Sequence, residues 1–311
     1  MTTPARDASA GRGGATADRL EFPLSQSQLD ALVRAGLEED RAFADVTTLS
    51  TVPADLTARA FLVARAAGVL AGVALATAAF HLVDTRVTTQ VLVSDGERVA
   101  AGTTILRLSG SPRSLLSAER VALNFLQRLS GTATLTARYV DAVRGTKARI
   151  FDTRKTTPLL RALEKYAVRA GAGMNHRLDL ADAVLIKDNH IAALGGDTAL
   201  AVRRARQFAP AGTRVEVECE SVEQLSVALA AGADIVLLDN MPPDDMRACV
   251  ALAAGRAIVE ASGGVNLDTV RAIAETGVDW ISVGALTHSA PALDLALDFE
   301  EIASPSVRQS S

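Results

Sequence analysis

Cysteine is scarce in this sequence, and its scarcity limits the kinds of protein that the chain can be. Only Cys219 and Cys249 occur among 311 residues. A disulfide framework is therefore not expected, and cysteine alone cannot supply the ligands of a thiolate zinc site. We interpret both cysteines as small buried hydrophobic residues and predict that the chain works in a reducing cytoplasm.

The sequence also lacks an apolar run that is long enough to cross a membrane. A nearly apolar stretch covers residues 66–80, but a spanning helix needs about 20 such residues. We therefore predict buried core there and no membrane partner. The N-terminal residues lack the apolar centre of about 7 to 15 residues that a secretory signal has. We interpret residues 1–24 as a disordered N-terminal extension.

An excess of positive charge is absent as well. The formal net charge is -4 and the isoelectric point is near 5.7, whereas a protein that binds nucleic-acid backbones normally has a net basic face. We therefore expect no nucleic-acid partner. With 311 residues, of which 49% are hydrophobic, the chain can bury a large core and is expected to form two domains.

The N-terminal region has two kinds of periodicity. Apolar residues recur at helical spacing over residues 25–40, which predicts a first helix with Ser25 or Ser27 as its N-cap. Residues 57–108 alternate as strands do. This alternation predicts an antiparallel sheet, with a helix near residues 73–83.

Two further helices are predicted before the pattern changes. They cover Pro112 to Leu129 and Thr132 to Val143, because the glycine of Ser130-Gly131 can end the first of them. This joint is a natural domain junction. We therefore expect an N-terminal α/β sandwich domain at residues 25–130.

From residue 148 onward, short apolar strands alternate with amphipathic helices. This alternation predicts parallel strands, so we expect an α/β barrel domain at residues 131–290. The candidate strands are residues 148–151, 183–186, 215–219, 234–239, 257–261 and 280–284. In a parallel barrel the ligand site lies at the carboxyl ends of the strands. Polar side chains at those ends are therefore candidate site residues.

Several cationic residues follow the first two of these strands within a short part of the chain. They are Arg154, Lys155, His176, Arg177 and Lys187. In an acidic chain, such a cluster indicates a site for a polyanionic small molecule. The pattern alone leaves alternatives, since Arg154 and Lys155 could be a solvated pair and His176 a core histidine beside a surface arginine.

Acidic residues recur near the ends of three successive strands. Glu218, Asp239 and Glu260 lie 21 residues apart. A carboxylate inside a barrel costs several kcal/mol unless it is paired or bound. Glu218 and Asp239 are therefore predicted to serve the ligand, and an ion pair with Lys187 is the alternative.

Two segments that contain glycine follow the last two strands. One is Ser262, Gly263 and Gly264, and the other is Gly284 and Ala285. Backbone amides near the start of a helix bind phosphate when no side chain is in the way, and the last strands of such barrels commonly hold a phosphate. Both segments are therefore candidate phosphate loops.

The motifs DTRKT (152–156), NHR (175–177) and KDNH (187–190), followed by VLLDN and EASGG, resemble as an ordered set those of the quinolinate phosphoribosyltransferase family. The resemblance covers about residues 25–300. It implies a type II phosphoribosyltransferase with an open α/β sandwich domain, an incomplete α/β barrel and a C-terminal segment, residues 291–311, that returns to the N-terminal domain.

The resemblance also implies a reaction and an assembly. Quinolinate would be joined to 5-phosphoribosyl 1-diphosphate with magnesium, giving nicotinate mononucleotide, diphosphate and CO2 for the synthesis of NAD. The enzyme would be a homodimer with shared active sites. Arg120, in the segment ERVALN, would reach the site of the partner subunit.

The resemblance assigns further roles residue by residue. The residues implied to hold quinolinate carboxylates and diphosphate oxygens are Thr153, Arg154, Lys155, His176, Arg177 and Lys187. Glu218 and Asp239 would lie near the ribose hydroxyls and the magnesium ion, with Glu218 preferred to Glu216 because it precedes Asp239 by 21 residues. The residues implied to bind the 5-phosphate are Ser262, Gly263, Gly264, Gly284 and Ala285.

The residues expected to be catalytic are Lys155, Lys187, Glu218 and Asp239. The group that protonates the ring carbon after decarboxylation stays open between Lys155 and a water molecule. Three other functions also stay open: a related phosphoribosyltransferase for another aromatic acid, a Schiff-base lyase with Lys187 as nucleophile, and a sensor of a phosphorylated ligand.

Overall fold

The computed structural model describes residues 20–300. The predicted N-terminal extension lies almost wholly outside these residues, as does the end of the C-terminal segment. None of the helices within the described range is long and apolar enough to cross a membrane.

The first helix forms where its periodicity predicts it. Helix α1 covers Gln26–Glu39, and Ser25 caps it in a reciprocal capping box with Gln28. Its buried side chains, Leu29, Val33 and Leu37, lie on one face at helical spacing. This stripe anchors α1 to the core of the N-terminal region.

A four-stranded antiparallel sheet forms the N-terminal region together with three short helices and a helical turn. Its elements before residue 111 are α2 (Val46–Thr51), β1 (Ala58–Ala64), β2 (Gly68–Val69), α3 (Val73–Val83), β3 (Thr88–Val91), β4 (Arg98–Val99) and β5 (Thr104–Gly110). The sheet order is β12-β1-β5-β3, where β12 (Leu295–Phe299) comes from the C-terminal segment and pairs antiparallel with β1. The apolar stretch at residues 66–80 supplies β2 and most of α3, and it is largely buried, as predicted.

The prediction of two helices after residue 111 is wrong, because one helix covers the whole range. Helix α4 runs from Pro112 to Ala142 without a break. Gly131 does not end a helix but allows a close contact, since a Cβ atom there would lie 2.1 Å from the carbonyl oxygen of Pro291. Helix α4 therefore runs from the sheet region into the barrel region as one continuous helix.

The second region is an incomplete barrel of parallel strands surrounded by helices. Its strands are β6 (Arg149–Phe151), β7 (Val184–Ile186), β8 (Val215–Cys219), β9 (Ile235–Asp239), β10 (Ile258–Ser262) and β11 (Trp280–Ser282). Their order is β6-β11-β10-β9-β8-β7. Strands β6 and β7 do not pair with each other among the described residues, and Met174 instead forms a single parallel bridge with Phe151.

Helices alternate with these strands along the chain. They are α5 (Arg161–Ala170), α6 (Asp188–Ala192), α7 (Thr198–Phe208), α8 (Val222–Ala230), α9 (Pro243–Ala253), α10 (Val270–Ala274) and α11 (Ala285–His288). Every second strand residue packs into the core between sheet and helices, and this core contains Cys219 and Cys249, both fully buried as predicted. The alternate strand residues, whose side chains point the other way, face the barrel interior. The predicted α/β fold class, an antiparallel sheet region followed by a parallel barrel, is confirmed.

Candidate active site

The barrel interior opens into a cavity of about 870 Å³ at the carboxyl ends of the parallel strands. Its lining contains most of the residues that the sequence predicts for a ligand site: Thr153, Arg154, Lys155, His176, Arg177, Lys187, Glu218, Asp239, Ser262, Gly263, Gly264, Gly284 and Ala285. The period of two along a strand explains why Glu218 lines the cavity while Cys219 packs on the other side. One chain thus gathers the predicted cations, carboxylates and glycines in one cavity.

The segment that follows β6 brings two cations into this cavity. The Nε atom of Arg154 is buried and has no hydrogen-bond partner among the described residues, so it is available to a bound anion. The backbone of Lys155 is fixed from two sides, because its N–H donates to Oγ1 of Thr153 at 3.1 Å and its carbonyl accepts from Oγ1 of the buried Thr287 at 2.7 Å. The loop is therefore held, while the Lys155 side chain is exposed to the cavity.

Arg177 adds a second guanidinium group beside Arg154. It donates from Nη1 to the carbonyl of Ala183 at 3.1 Å. Burial and then the charge of Arg154 lower the pKa of Arg177 from its ordinary value. A guanidinium group whose charge is disfavoured by a neighbouring cation is one that a bound dianionic ligand would stabilise.

His176 lines the cavity but points its ring toward two buried glutamates. Its Nε2 atom lies 3.2 Å from Oε2 of Glu216 and 3.4 Å from Oε2 of Glu260. Burial opposes a charged ring, but the hydrogen bonds and charges of these two glutamates outweigh it and raise the pKa of His176 to about 10. The backbone N–H of Arg177 lies 2.9 Å from Nδ1, a contact that a ring protonated at both nitrogens could not accept. Two carboxylates face Nε2 and a single main-chain N–H faces Nδ1, so the charged ring is favoured and the contact at Nδ1 is the weaker of the two.

Glu216 and Glu260 form an acidic floor under the cavity. Burial is the main cause that raises the pKa of Glu216, and Ser282 donates a hydrogen bond from its hydroxyl to Glu260. With His176 they are the one group of three side chains, among residues 20–300, whose donor atoms are close enough to hold a metal ion. A charged His176 ring would balance one of the two carboxylates, so the cluster is better explained as a buried ionic cluster in which Nε2 of His176 and Oε2 of Glu260 form no hydrogen bond of normal geometry.

Glu218 and Asp239, the residues predicted near a metal ion, lie at the strand ends above that floor. Oε2 of Glu218 accepts a hydrogen bond from Nζ of Lys187 at 2.8 Å, so the ion pair considered as the alternative does form. Asp239 is half-buried and accepts from Nδ2 of Asn240 at 2.9 Å. Both carboxylates are hard oxygen donors that suit magnesium when substrate phosphates and water complete the coordination.

The glycines of the two candidate phosphate loops are required by their surroundings. Gly263 has a φ of +85°, and a Cβ atom there would lie 2.3 Å from Oδ1 of Asn240. Gly264 also has a positive φ, of +60°. At Gly284 a Cβ atom would approach Lys155 and His288 within 3.1 and 3.2 Å. The space that a side chain would take at Gly263 and Gly284 is thus occupied by Asn240, Lys155 and His288, and the glycines line the cavity with backbone atoms alone.

Arg120 is the one predicted site residue that a single chain does not bring to this cavity. It lines a separate depression of about 480 Å³, with Asp45 and Ser117 among its neighbours. Its side chain is 62% exposed, and its contact with Glu119 is long, at 3.9 Å. Within one chain, Arg120 has no access to the barrel cavity.

The cavity also contains residues that were not assigned to the site from the sequence. They are Leu185, Leu237, Asn240, Glu260, Val265, Ser282 and His288. Asn240 follows Asp239 directly, and Glu260 and Ser282 lie on the inner face of β10 and β11, so strand periodicity is the signal that could have found them. No periodic signal indicates His288, because it lies at the end of a short helix.

Comparison with protein families and known structures is consistent with this geometry. The family model described as "Quinolinate phosphoribosyl transferase, C-terminal domain" matches residues 132–298, and the corresponding N-terminal domain model matches residues 45–130. Together these two matches cover nearly all of the described chain, including α4, which spans their border.

Individual relatives agree with the family models. The nicotinate-nucleotide pyrophosphorylase (carboxylating) of Mycobacterium leprae is 46% identical over 286 residues, which cover 88% of this chain and 99% of that protein. The chloroplastic relative of the same name from Arabidopsis thaliana is 40% identical, over 88% of this chain and 83% of that protein.

A solved structure shares the same architecture. The nicotinate-nucleotide pyrophosphorylase from Francisella tularensis superposes with a TM-score of 0.84 at 40% identity, covering 90% of this chain and 99% of that chain. The resemblance inferred from the motifs is thereby confirmed. The chain belongs to the quinolinate phosphoribosyltransferase family.

Proposed function

We propose that this chain transfers the phosphoribosyl group of 5-phosphoribosyl 1-diphosphate to quinolinate and releases nicotinate mononucleotide, diphosphate and CO2. Family membership supports this reaction. The observation that carries it is the composition of the cavity lining. Three cations, Arg154, Arg177 and Lys187, line the same cavity as carboxylates and glycine-rich loops. A dianionic aromatic acid and a polyphosphorylated sugar need these two kinds of surface.

The cationic side of the cavity suits the two carboxylates of quinolinate. Arg154 offers a buried Nε–H without a protein partner among the described residues, and its charge contributes to the lowered pKa of Arg177. Guanidinium groups bind carboxylates through paired hydrogen bonds. An acid with a single carboxylate would leave one of these cations uncompensated, which favours quinolinate over a monocarboxylate such as nicotinate.

The opposite side suits phosphoribosyl diphosphate. Gly263, Gly264 and Gly284 line the cavity with backbone atoms alone, so their amides are the donors that this side offers to the 5-phosphate. In the strand order, Glu218 on β8 and Asp239 on β9 lie between Lys187 after β7 and the Gly263 loop after β10, where ribose hydroxyls can donate to them. Lys155 lies beside Gly284 and is placed to meet the diphosphate.

The reaction needs positioning and electrostatics, and it needs no protein nucleophile. The ring nitrogen of quinolinate attacks the anomeric carbon as the bond to diphosphate breaks, and the cationic residues stabilise the charge that develops on the leaving group. Holding the two substrates in line contributes on the order of 7 to 11 kcal/mol at best. The 2-carboxylate then leaves as CO2, and the electron pair stays on the ring carbon beside the cationic nitrogen until a proton arrives from Lys155 or water.

Magnesium is part of the proposal. When bound, it neutralises the diphosphate as a Lewis acid. Glu218 and Asp239 would hold it together with substrate oxygens. Among the described residues, these two carboxylates form no complete set of metal ligands with a third protein group, so the substrate would supply the rest.

We also propose that the enzyme is a homodimer in a cytoplasmic setting. The position of Arg120 supports the dimer, since its exposed side chain cannot serve the cavity of its own chain. Hydrophobic side chains near Arg120 and near the NHR segment are strongly exposed, such as Val46 at 77% and Leu180 at 71%. We infer that a second copy covers them and brings Arg120 to the partner's cavity.

A product assay tests the reaction directly. Purified protein is mixed with quinolinate, phosphoribosyl diphosphate and magnesium, and nicotinate mononucleotide and CO2 are measured, with nicotinate in place of quinolinate as the parallel substrate. We expect product from quinolinate and little from nicotinate. Folded protein that forms no product would exclude the proposal, and product from nicotinate alone would favour the related phosphoribosyltransferase.

The Schiff-base lyase is the less favoured alternative. A Schiff-base nucleophile must present an unpaired amine, whereas Nζ of Lys187 is engaged with the Glu218 carboxylate. Borohydride reduction in the presence of a carbonyl substrate is expected to leave the mass of the protein unchanged.

A further inference from the structure

A buried ion pair lies behind the cavity wall, formed by residues that do not line the cavity. Lys165 on α5 and Asp152 at the end of β6 have side chains that are 2% and 0% exposed, and Nζ of Lys165 lies 2.5 Å from Oδ1 of Asp152. Neither residue touches the space that the substrates would occupy. The reaction described above gives these two charges no direct role.

The pair holds the NHR segment by its main chain. Asp152 accepts the backbone N–H of His176 at 2.9 Å, and Lys165 donates to the carbonyl oxygen of the same residue at 3.0 Å. Asn175 completes the connection, because its Nδ2 donates to Asp152 at 2.6 Å and to the carbonyl of Lys165 at 2.9 Å. Both main-chain polar groups of His176 are thus fixed by one ion pair.

The energetics argue that this pair serves geometry more than stability. Burial is the main cause that raises the pKa of Asp152, and it is the main cause that lowers the pKa of Lys165. Each charge is therefore disfavoured by its surroundings. Buried ion pairs in general contribute little net stability compared with apolar residues of the same size. A geometric function explains why the chain places this pair beside the cavity.

The geometry that the pair controls is the distance between two guanidinium groups. Arg154 lies two residues after Asp152, and Arg177 directly follows His176. These cations repel each other, since the charge of Arg154 contributes to the lowered pKa of Arg177. The bridge between Phe151 and Met174 already joins the start of the two segments. The ion pair adds a second tie at His176, next to Arg177, which opposes the repulsion when no anion is bound.

We propose that Asp152 and Lys165 are positioning residues that tie the NHR segment to the DTR segment, so that Arg154 and Arg177 stay preorganised for the two carboxylates of quinolinate. This inference rests on the proposed function. It predicts that loss of the pair impairs quinolinate far more than phosphoribosyl diphosphate. The loops at Gly263 and Gly284, which would hold the 5-phosphate, lie on other strands and receive no bond from the pair.

The experiment compares KM for the two substrates in Lys165→Met, a variant of similar length without the charge. We expect KM for quinolinate to rise roughly 10- to 100-fold, because a misplacement of about 1 Å can cost on the order of 100-fold. KM for phosphoribosyl diphosphate is expected to stay within about threefold. A merely structural role would lower the amount of folded enzyme without separating the two constants.

Tyr166→Phe is the matched control. Tyr166 lies next to Lys165 on the same helix, and the variant removes a partly buried hydrogen bond, from the Tyr166 hydroxyl to Asp95 at 2.7 Å, that leads to the N-terminal region. It is expected to lower the melting temperature while both KM values stay as in the wild type. An equal rise of quinolinate KM in this control would overturn the inference.

Two more variants keep the test decisive if Lys165→Met does not fold. The double variant Asp152→Asn/Lys165→Met leaves no unpaired buried charge, and Asn175→Ala removes only the side chain that completes the tie. Both variants are expected to fold and to have a higher KM for quinolinate than the wild type. A folded Lys165→Met or double variant with quinolinate KM within about twofold of the wild type, or with both KM values raised equally, would overturn the inference. An inactive wild type would instead count against the proposed function.

Discussion

Nζ of Lys187 lies 2.8 Å from Oε2 of Glu218, across the neighbouring ends of β7 and β8. The lysine side chain is 48% exposed to the cavity, whereas the glutamate side chain is only 9% exposed. Because Lys187 remains half-exposed to solvent, the pair contributes only on the order of 1 kcal/mol to stability, and we infer that its main effect is on the ligand. The pair keeps one cation and one carboxylate at the mouth of the barrel.

The first prediction concerns Glu218→Gln. The amide keeps the size of the side chain and an acceptor for Lys187 but removes the negative charge that we assign to the ribose hydroxyls and magnesium. We expect kcat/KM for phosphoribosyl diphosphate to fall roughly 100-fold, as for other preorganised electrostatic contacts. Stability is expected to change by less than about 1 kcal/mol. Steady-state kinetics and urea denaturation measure the two effects.

Glu275→Gln is the control for that variant. Glu275 pairs with Arg271 at 2.6 Å on the surface of α10, where both side chains are about half exposed. Its loss is expected to leave kcat/KM unchanged. If Glu218→Gln also retains full activity, the assignment of Glu218 to the substrate is wrong.

The second prediction concerns the first glycine-rich loop. In Gly263→Ala the new Cβ atom must occupy a left-handed backbone position and displace the Asn240 side chain. The backbone alone costs about 1 to 2 kcal/mol, and the clash would shift the loop as well. We expect KM for phosphoribosyl diphosphate to rise at least tenfold, on the order of 1.4 kcal/mol, while KM for quinolinate changes little.

Gly232→Ala separates the two causes. Gly232 has a comparable φ of +91°, but a Cβ atom added there would meet no described atom within 4 Å. This variant is expected to lose a similar backbone contribution to stability with unchanged kinetics. Equal KM values for phosphoribosyl diphosphate in Gly263→Ala and Gly232→Ala would contradict the assignment of Gly263 to the phosphate.

The third prediction concerns the pH dependence of stability. The glutamates raise the pKa of His176 to about 10 from an ordinary value of 6.5. The native state therefore binds more protons than the unfolded state between these values, and the stabilisation is complete below pH 6.5 and lost as the pH rises toward 10. In Glu260→Gln one of the two carboxylates is gone. We expect its stability to fall less steeply over this range than that of the wild type.

Urea denaturation at about pH 6.5, 8 and 9.5 measures that difference. The gap between the wild type and Glu260→Gln is expected to narrow as the pH rises. A gap that stays constant, or that widens, would contradict the stabilisation of a protonated His176 by Glu260. The Glu275→Gln variant again provides the reference, because its surface pair has no buried histidine beside it.

Strand periodicity predicts much of this site from the sequence. Every second residue of a parallel strand faces the barrel interior, so the polar residues at strand ends, such as Glu218 and Asp239, converge without any knowledge of packing. The antiparallel sheet and the helix at residues 73–83 follow from local patterns in the same way.

What the sequence does not predict depends on residues that are distant along the chain. Gly131 lies inside α4 and makes room for the carbonyl of Pro291, a contact that local helix signals cannot indicate. The direction of the His176 ring is set by Glu216 and Glu260 on two other strands. Ring orientation and close backbone contact are properties of the assembled barrel, and local periodicity contains neither.

The fourth prediction tests whether active sites are shared between subunits. Arg120→Ala and Arg177→Ala are each expected to be nearly inactive. In a hybrid dimer, the chain with Arg120→Ala supplies an intact Arg177 while its partner supplies an intact Arg120, so one of the two sites is complete. Random exchange of subunits makes about half of the dimers hybrids in a twofold-symmetric assembly. Mixing the two variants is then expected to restore about a quarter of wild-type activity.

The outcome depends on where Arg120 acts, which makes the mixture decisive. If Arg120 served the cavity of its own chain, each site of the hybrid would lack one arginine and no activity would return. Arg154→Ala mixed with Arg177→Ala is the matched control, because both residues line the same barrel cavity and their hybrid has no complete site. Recovered activity in the mixture of Arg120→Ala with Arg177→Ala, and none in the control mixture, would assign Arg120 to the partner's cavity. Equal activities of the two mixtures in confirmed heterodimers would contradict a shared site.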